Sequence, residues 1–118
     1  MKYRVAPIPG FYRQVKIILK KYPRFIKDLE DYFELLENTG PIGRAMPGFP
    51  ALFKDRLAIK SHNIGERGEV RIISYHDPAS GKSIIVPLLI YLKSDLPNPP
   101  HSMISAAVKE LRELIDQT

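Results

Sequence analysis

The chain reads as an α+β protein: a small antiparallel sheet, an N-terminal helical hairpin packed on one of its faces, and a closing helix. Three observations predict this. Apolar residues recur at helical spacing in two adjacent stretches near the N-terminus and in one near the C-terminus. The segments between them read as strands, and sequences rich in Gly, Pro, Asn and Asp separate them. At 118 residues, with 44% hydrophobic and 26% charged residues, the composition suits one globular domain, spanning residues 1 to 118.

The elements follow in order. "KYRVAPI", Lys2 to Ile8, reads as a short edge strand that Pro7 and Pro9 end. In "FYRQVKIILKKY", Phe11, Val15, Ile18, Leu19 and Tyr22 form one helical stripe. Pro23 interrupts, and a second helix is predicted from Arg24 to Glu37, with Ile26, Leu29, Phe33 and Leu36 facing inward. Its acids Asp28, Glu30, Asp31, Glu34 and Glu37 read as a solvated surface. "NTGPIGRAMPGFP", Asn38 to Pro50, reads as a loop. Strands are expected over Ala51 to Lys60, Glu69 to His76 and Lys82 to Lys93, joined as an antiparallel meander by the turn sequences "NIGERGE" and "DPASG". Pro87 inside the third strand cannot donate to the ladder, which predicts a bulge or an unpaired edge. A helix from Ser102 to Asp116 closes the chain, with Ile104, Val108, Leu111, Leu114 and Ile115 as its stripe. The helices are expected on one face of the sheet.

The sequence contains no cysteine, which excludes disulfides and thiolate metal sites and makes a reducing cytoplasm the expected compartment. "MKYRVAPIPG" lacks the apolar core of a secretory signal, and the longest apolar run, Ile84 to Leu92, is too short to span a bilayer. His62 and His76 lack the mutual spacing of a zinc site, so neither metal nor cofactor is expected.

The net charge is +5, unevenly distributed. Residues 1 to 27 carry eight Lys/Arg and no acid, residues 28 to 37 five acids and no base, and residues 38 to 93 eight bases against four acids. A basic helix region and a basic sheet point to a polyanion, by default a nucleic acid. Alternation sharpens this. In the first long strand Phe53, Leu57 and Ile59 share one face, and Lys54, Arg56 and Lys60 the other. In the next, Arg71, Ile73 and Tyr75 share a face. If Arg71 lies with Lys54 and Arg56, three cations converge into a phosphate-binding floor, with Tyr75 at its end for stacking. The competing reading of Arg71 is structural, in an ion pair with Glu69 or Asp55.

"MPGFPALFKDRLA", "GERGEVRIISY" and "LLIYLKSD" together resemble the RelE/ParE toxin superfamily, in its RelE-like ribonuclease branch. The resemblance lies in the order of three short motifs: Gly48 through Leu57, Glu69 through Tyr75, and Ile90 through Lys93. The chain departs from the pattern by lacking the Gly just before the Val-Arg pair and a Tyr near the start of the last helix. The resemblance implies the toxin of a type II toxin–antitoxin pair, a metal-independent endoribonuclease that cuts mRNA on the ribosome. It implies Lys54 as base, Arg56 as second cation, Arg71 as the phosphate-holding residue and Lys93 as acid or stabiliser. His101 is the nearest substitute for the missing Tyr. Lys60, Arg67, Arg44, Tyr75 and Tyr91 are the corresponding candidates for RNA contacts, and Glu66 and Glu69 are the nearby carboxylates that could replace Lys54 as base. The expected partners are an acidic antitoxin, mRNA and the ribosome, with a monomer when free and a hetero-oligomer with the antitoxin. Two rival readings are a gyrase-directed inhibitor of the ParE branch and a non-catalytic nucleic-acid-binding module.

Overall fold

A computed structural model describes residues 2–62 and 69–116. The order is β1 (Arg4–Val5), α1 (Pro9–Lys21), α2 (Phe25–Thr39), β2 (Arg44–Ala45), β3 (Leu52–Ala58), β4 (Glu69–Tyr75), β5 (Ile84–Leu92) and α3 (His101–Asp116). The predicted α+β class and the β3–β4–β5 antiparallel meander are both present. The sheet is nevertheless mixed, with strand order β1-β5-β4-β3-β2. β1 pairs parallel with β5, Arg4 opposite Ile84 and Val5 opposite Ile85. A βα…β excursion between them supplies the long crossover that parallel neighbours need.

β2 is the second departure, since it lies in the stretch read from sequence as a loop. It pairs Arg44 with Lys54 and Ala45 with Phe53. Two residues are too few to display an alternation. Gly43, at φ +108°, makes the pairing possible: a Cβ there would collide with the Lys54 carbonyl, so only glycine lets the chain approach β3 so closely.

The helices follow their local chemistry. α1 begins at Pro9, whose missing N–H is no loss at a helix start, and carries Lys20 and Lys21 in its last turn. α2 stops at Gly40, at φ +89°, whose N–H caps the Leu36 carbonyl. The α2 stripe is rotated from the predicted one. Phe25, Leu29, Tyr32 and Leu36 are buried, whereas Ile26 is 42% exposed. The sequence stripe began one residue late because a Phe and an Ile stand side by side at the helix start. Asp28 is also buried rather than solvated: its Oδ2 accepts from the Ser61 N–H at 3.1 Å and the Ser61 hydroxyl at 2.7 Å. Tyr32 donates to Asp55 Oδ2 at 2.9 Å. These two carboxylates tie α2 to β3 and to the segment that follows it. Burial, then the Asp55 charge and its hydrogen bond, hold the Tyr32 hydroxyl above its ordinary pKa.

The bulge predicted at Pro87 is present. Pairing between β4 and β5 shifts register between Ile73 and Ser74, so that Ile73 opposes Leu89 and Ser74 opposes Pro87. On its other edge β5 donates the Ile90 N–H to Gln14 Oε1 of α1 at 2.9 Å.

The helices do not share one face. α1 packs on β5 and α2 reaches Asp55, on the face that also carries Val70, Ile72 and Ile90. α3 takes the opposite face. Leu89 lines a cleft with Ala107 and Glu110 of α3, and Leu52 and Tyr75 line another with Val108 and Leu111. The reason is the composition of that second face: Leu52, Ile73 and Leu89 are apolar and buried, so one half of it needs a cover. In α3 itself Ile104, Ala107 and Leu111 are buried, while Leu114 and Ile115 of the predicted stripe are exposed.

Two tests follow from this packing. Leu29→Ala should lower stability by about 2–5 kcal/mol, and Ile26→Ala by less than about 1 kcal/mol, measured by urea unfolding; equal costs would contradict the rotated stripe. Tyr32, held protonated in the fold, keeps its proton above the pH of about 10 where an unfolded tyrosine loses it. The native state then binds more protons than the unfolded one, so stability falls as pH rises past that point. Tyr32→Phe should make that alkaline fall shallower.

Candidate functional site

Register decides which side chains meet. Arg56 lies opposite Arg71, and Arg71 opposite Tyr91. Lys54 lies opposite Ile73 on one side and Arg44 on the other. Directly paired residues point to the same face, and so do residues two apart. Lys54, Arg56 and Arg71 therefore share one face, joined by Arg44, Glu69, Tyr91 and, just past β5, Lys93. The shared face expected from the sequence for Lys54, Arg56 and Arg71 is present, on the half of the face beyond the apolar residues under α3.

Its centre is a carboxylate. Glu69 Oε1 lies 3.1 Å from Arg71 Nη2 and 3.3 Å from Arg56 Nε, and its Oε2 lies 3.7 Å from Lys93 Nζ. The structural reading of Arg71, a pairing with Glu69, thus holds together with the shared face; Asp55, the other suggested partner, is on the opposite face with Tyr32. The side chain of Arg71 is 13% exposed, that of Arg56 71%. The Arg71 pair is consequently the strong one, since exposed pairs contribute about 0–1 kcal/mol. Lys54 is half-buried and, among the described residues, belongs to no ion pair; Arg44 is exposed. The face as a whole stays positive.

Three buried polar atoms at this site have no hydrogen-bond partner among the described residues: Arg71 Nε, the Tyr91 hydroxyl, and Glu69 Oε1, whose contacts with Arg71 and Arg56 are ion pairs. Burial pushes the Tyr91 pKa up, against the opposing pull of the Arg71 charge. Donors left unsatisfied beside a cation cluster can be satisfied by an anion's oxygens.

The remaining candidates are dispersed. His101 opens α3, where its ring lies 4.7 Å from that of Phe49 and its Nδ1 3.2 Å from Ser105 Oγ; these contacts are separate from the Glu69 cluster. Tyr75 shares the face but at its other end, opposite Leu52 and Val86, where it lines a cleft of about 670 Å³ beside α3. It does not stand next to the cations, because three residues of strand separate it from Arg71. Lys60 is exposed beyond the end of β3, and the alternation that placed it with Lys54 stops at Ala58. Arg67 and Glu66 lie outside the described residues. His62 accepts from the Arg24 N–H at 3.1 Å, and a His76 ring nitrogen lies 2.9 Å from the Ile84 carbonyl, so both hold local structure. Among the described residues, no group of three His, Asp or Glu is placed to hold a metal.

Sequence reasoning left Glu69 as a minor alternative base and did not see it as the hub. The signal was available, since Glu69 and Arg71 are two apart in a strand, as are Tyr91 and Lys93. Comparison of the sequence with protein-family models and with curated proteins finds no match.

Glu69→Gln leaves three cations without their shared counter-charge. It should lower stability by about 1–3 kcal/mol, and added inorganic phosphate should restore part of that loss, since an anion can take the vacated place. Thermal unfolding with and without phosphate measures both; a variant indifferent to phosphate would show that the cluster does not accept anions.

Proposed function

We propose that the chain is a metal-independent endoribonuclease of the RelE-like kind, acting as the toxin of a type II toxin–antitoxin pair. The observation that carries the reading is the convergence of Lys54, Arg56, Arg71 and Lys93 on one sheet face, with donors left unsatisfied beside them. The substrate is mRNA, cut on the ribosome in the cytoplasm. The partner that silences the free monomer is an acidic antitoxin, attracted by the same charge.

The residues divide the chemistry among them. The ribose 2′-OH gives its proton to Lys54 and attacks the adjacent phosphorus. Arg71 and Arg56 take up the charge that develops on the phosphorane oxygens. Lys93 gives a proton to the departing 5′ oxygen as the P–O5′ bond breaks, leaving a 2′,3′-cyclic phosphate and a 5′-OH. A lysine acts as base only in its unprotonated form. Glu69 holds Arg56, Arg71 and Lys93 together before the phosphate arrives and yields them when it does. His101, with Phe49, offers a stacking surface for a flanking base.

A second reading is favoured by Glu69 itself. Its carboxylate occupies the donors a phosphate would need, which suits a non-catalytic nucleic-acid-binding module of the same fold.

Induced expression followed by 5′-end mapping of total mRNA separates these readings. Growth arrest with cuts inside translated frames supports the ribonuclease. Arrest with intact mRNA and damaged or relaxed DNA would promote a gyrase inhibitor of the ParE kind, and neither effect would leave the binding module. In purified form, Lys54→Ala, Arg56→Ala and Arg71→Ala should each slow cleavage by roughly 10²-fold or more, whereas Lys60→Ala should change it little. Lys54→Arg keeps the charge without a proton readily given up. Cleavage at the parent rate by that variant would exclude Lys54 as base and turn attention to Glu66 or Glu69.

A further inference from the structure

α1 carries a second cationic surface that the proposed chemistry does not use. Phe11, Val15 and Ile18 are buried against the sheet. Arg13, Lys16 and Lys20 follow one another at steps of three and four on the opposite side of the helix, all exposed. Lys21 and Arg24 extend the surface. Only Arg13 of these five has an ion pair among the described residues, a loose one of 3.8 Å to Glu110, with the Arg13 side chain 71% exposed. The acids of the neighbouring helix, Glu30, Asp31 and Glu34, are exposed as well and, among the described residues, pair with none of these cations. Apart from Arg13, the row of like charges on this helix has no ion-pair partner among the described residues.

Its position gives this row a meaning. α1 packs along β5 and, through Phe11 against Phe33, on α2, whose Tyr32 reaches Asp55 on the face opposite Lys54, Arg56 and Arg71. The two cationic surfaces look away from each other across a body whose shortest extent is 26 Å. A single strand lying on one of them does not reach the other without passing around the edge of the domain. We infer that the outer face of α1 is a separate binding surface for an RNA phosphate backbone, and that one copy of the chain bridges two RNA segments.

RNA fits this surface better than a lipid bilayer does. A helix that lies in a membrane buries its apolar face there, and here that face is already in the core. Tyr12 and Ile17 are the exposed apolar side chains of α1, 50% and 63% exposed, too little for insertion. Tyr12, beside the cationic row, can stack on an unpaired base, which RNA recognition commonly uses. The inference does not depend on catalysis, because it concerns the opposite side of the sheet from the Glu69 cluster.

The test is a bridging assay with two 2′-O-methyl RNA hairpins, which cannot undergo 2′-OH attack. One hairpin is fixed to beads and the other is fluorescent. The parent chain should bring the second hairpin to the beads. The variant Lys16→Glu/Lys20→Glu/Lys21→Glu should still bind one hairpin but lose bridging, with its log–log salt slope reduced by about 2–3. Arg44→Ala/Lys54→Ala/Arg56→Ala should also lose bridging, while keeping the binding that depends on α1. Saturation of the parent chain at one hairpin would overturn the inference. So would unchanged bridging by the α1 variant, which is what a dimer using the sheet face twice would give. Binding of α1 to phosphatidylserine vesicles or to an acidic protein, with no dependence of RNA binding on Lys16, Lys20 and Lys21, would overturn it too. A chain that bridges but never cuts RNA contradicts the ribonuclease and leaves this surface standing; one that cuts but does not bridge does the reverse.

Discussion

Arg56 and Arg71 face each other directly across the β3–β4 ladder. Like charges so placed repel, and the arrangement persists because Glu69 Oε1 lies within 3.3 Å of a nitrogen from each. Much of the site depends on this contact. It keeps Arg71 in an almost fully covered position beside Tyr91, and it draws Lys93 to the same point from the end of β5. A cation cluster of this kind needs an anion. In the free protein the anion is Glu69, and in the proposed ribonuclease a phosphate competes for the same donors. Among the described residues Arg71 Nε, the Tyr91 hydroxyl and Glu69 Oε1 are buried without a hydrogen-bond partner, so Glu69 does not exhaust the donors available.

The division of the sheet into two unequal faces serves the same end. The face under α1 and α2 is mostly apolar, interrupted where Asp55 meets Tyr32. The other face is apolar only over the half that α3 covers, where Leu52, Ile73 and Leu89 are buried. No described helix covers its remaining half, where Lys54, Arg56, Arg71 and Lys93 are placed. The bulge at Leu88 falls near the covered half, where Ile73 is followed by the register shift. Bulges bend a strand and increase its twist, which suits a position beneath a crossing helix. α3 is in turn linked to the start of α1 around the edge of β5, through the Gly10 N–H and Arg13 on Glu110.

Carboxylates recur as connectors, one buried, Asp28, and two half-buried, Asp55 and Glu69. Asp28, Asp55 and Glu69 each join segments that are distant in sequence, and each was open to reading as a surface acid or a local partner. A carboxylate removed from water is retained only where donors satisfy it. Ser61 donates to Asp28 and Tyr32 to Asp55, while Glu69 is held by ion pairs with Arg56, Arg71 and Lys93.

The sequence by itself determined the α+β class, the helical hairpin, the three long strands, the disturbance at Pro87 and the common face of Lys54 and Arg56. All of these rest on local periodicity or on the missing N–H of proline, which a chain carries wherever it folds. It also made Lys54, Arg56 and Arg71 conditional neighbours, since alternation places residues on a face without saying which faces coincide. Tertiary structure decided that coincidence through the pairing of Arg56 with Arg71 and of Arg71 with Tyr91, and with it the role of Glu69. It decided the parallel edge strand β1 and the two-residue β2, which are too short to carry a pattern of their own. It also set α3 on the far face, moved Tyr75 and His101 away from the cations, and rotated α2 to bury Phe25, Asp28 and Tyr32 in place of Ile26. In each case the deciding quantity was a partner far along the chain, an apolar half-face that needed cover or a carboxylate that needed donors, and periodicity along a single segment carries no record of such partners.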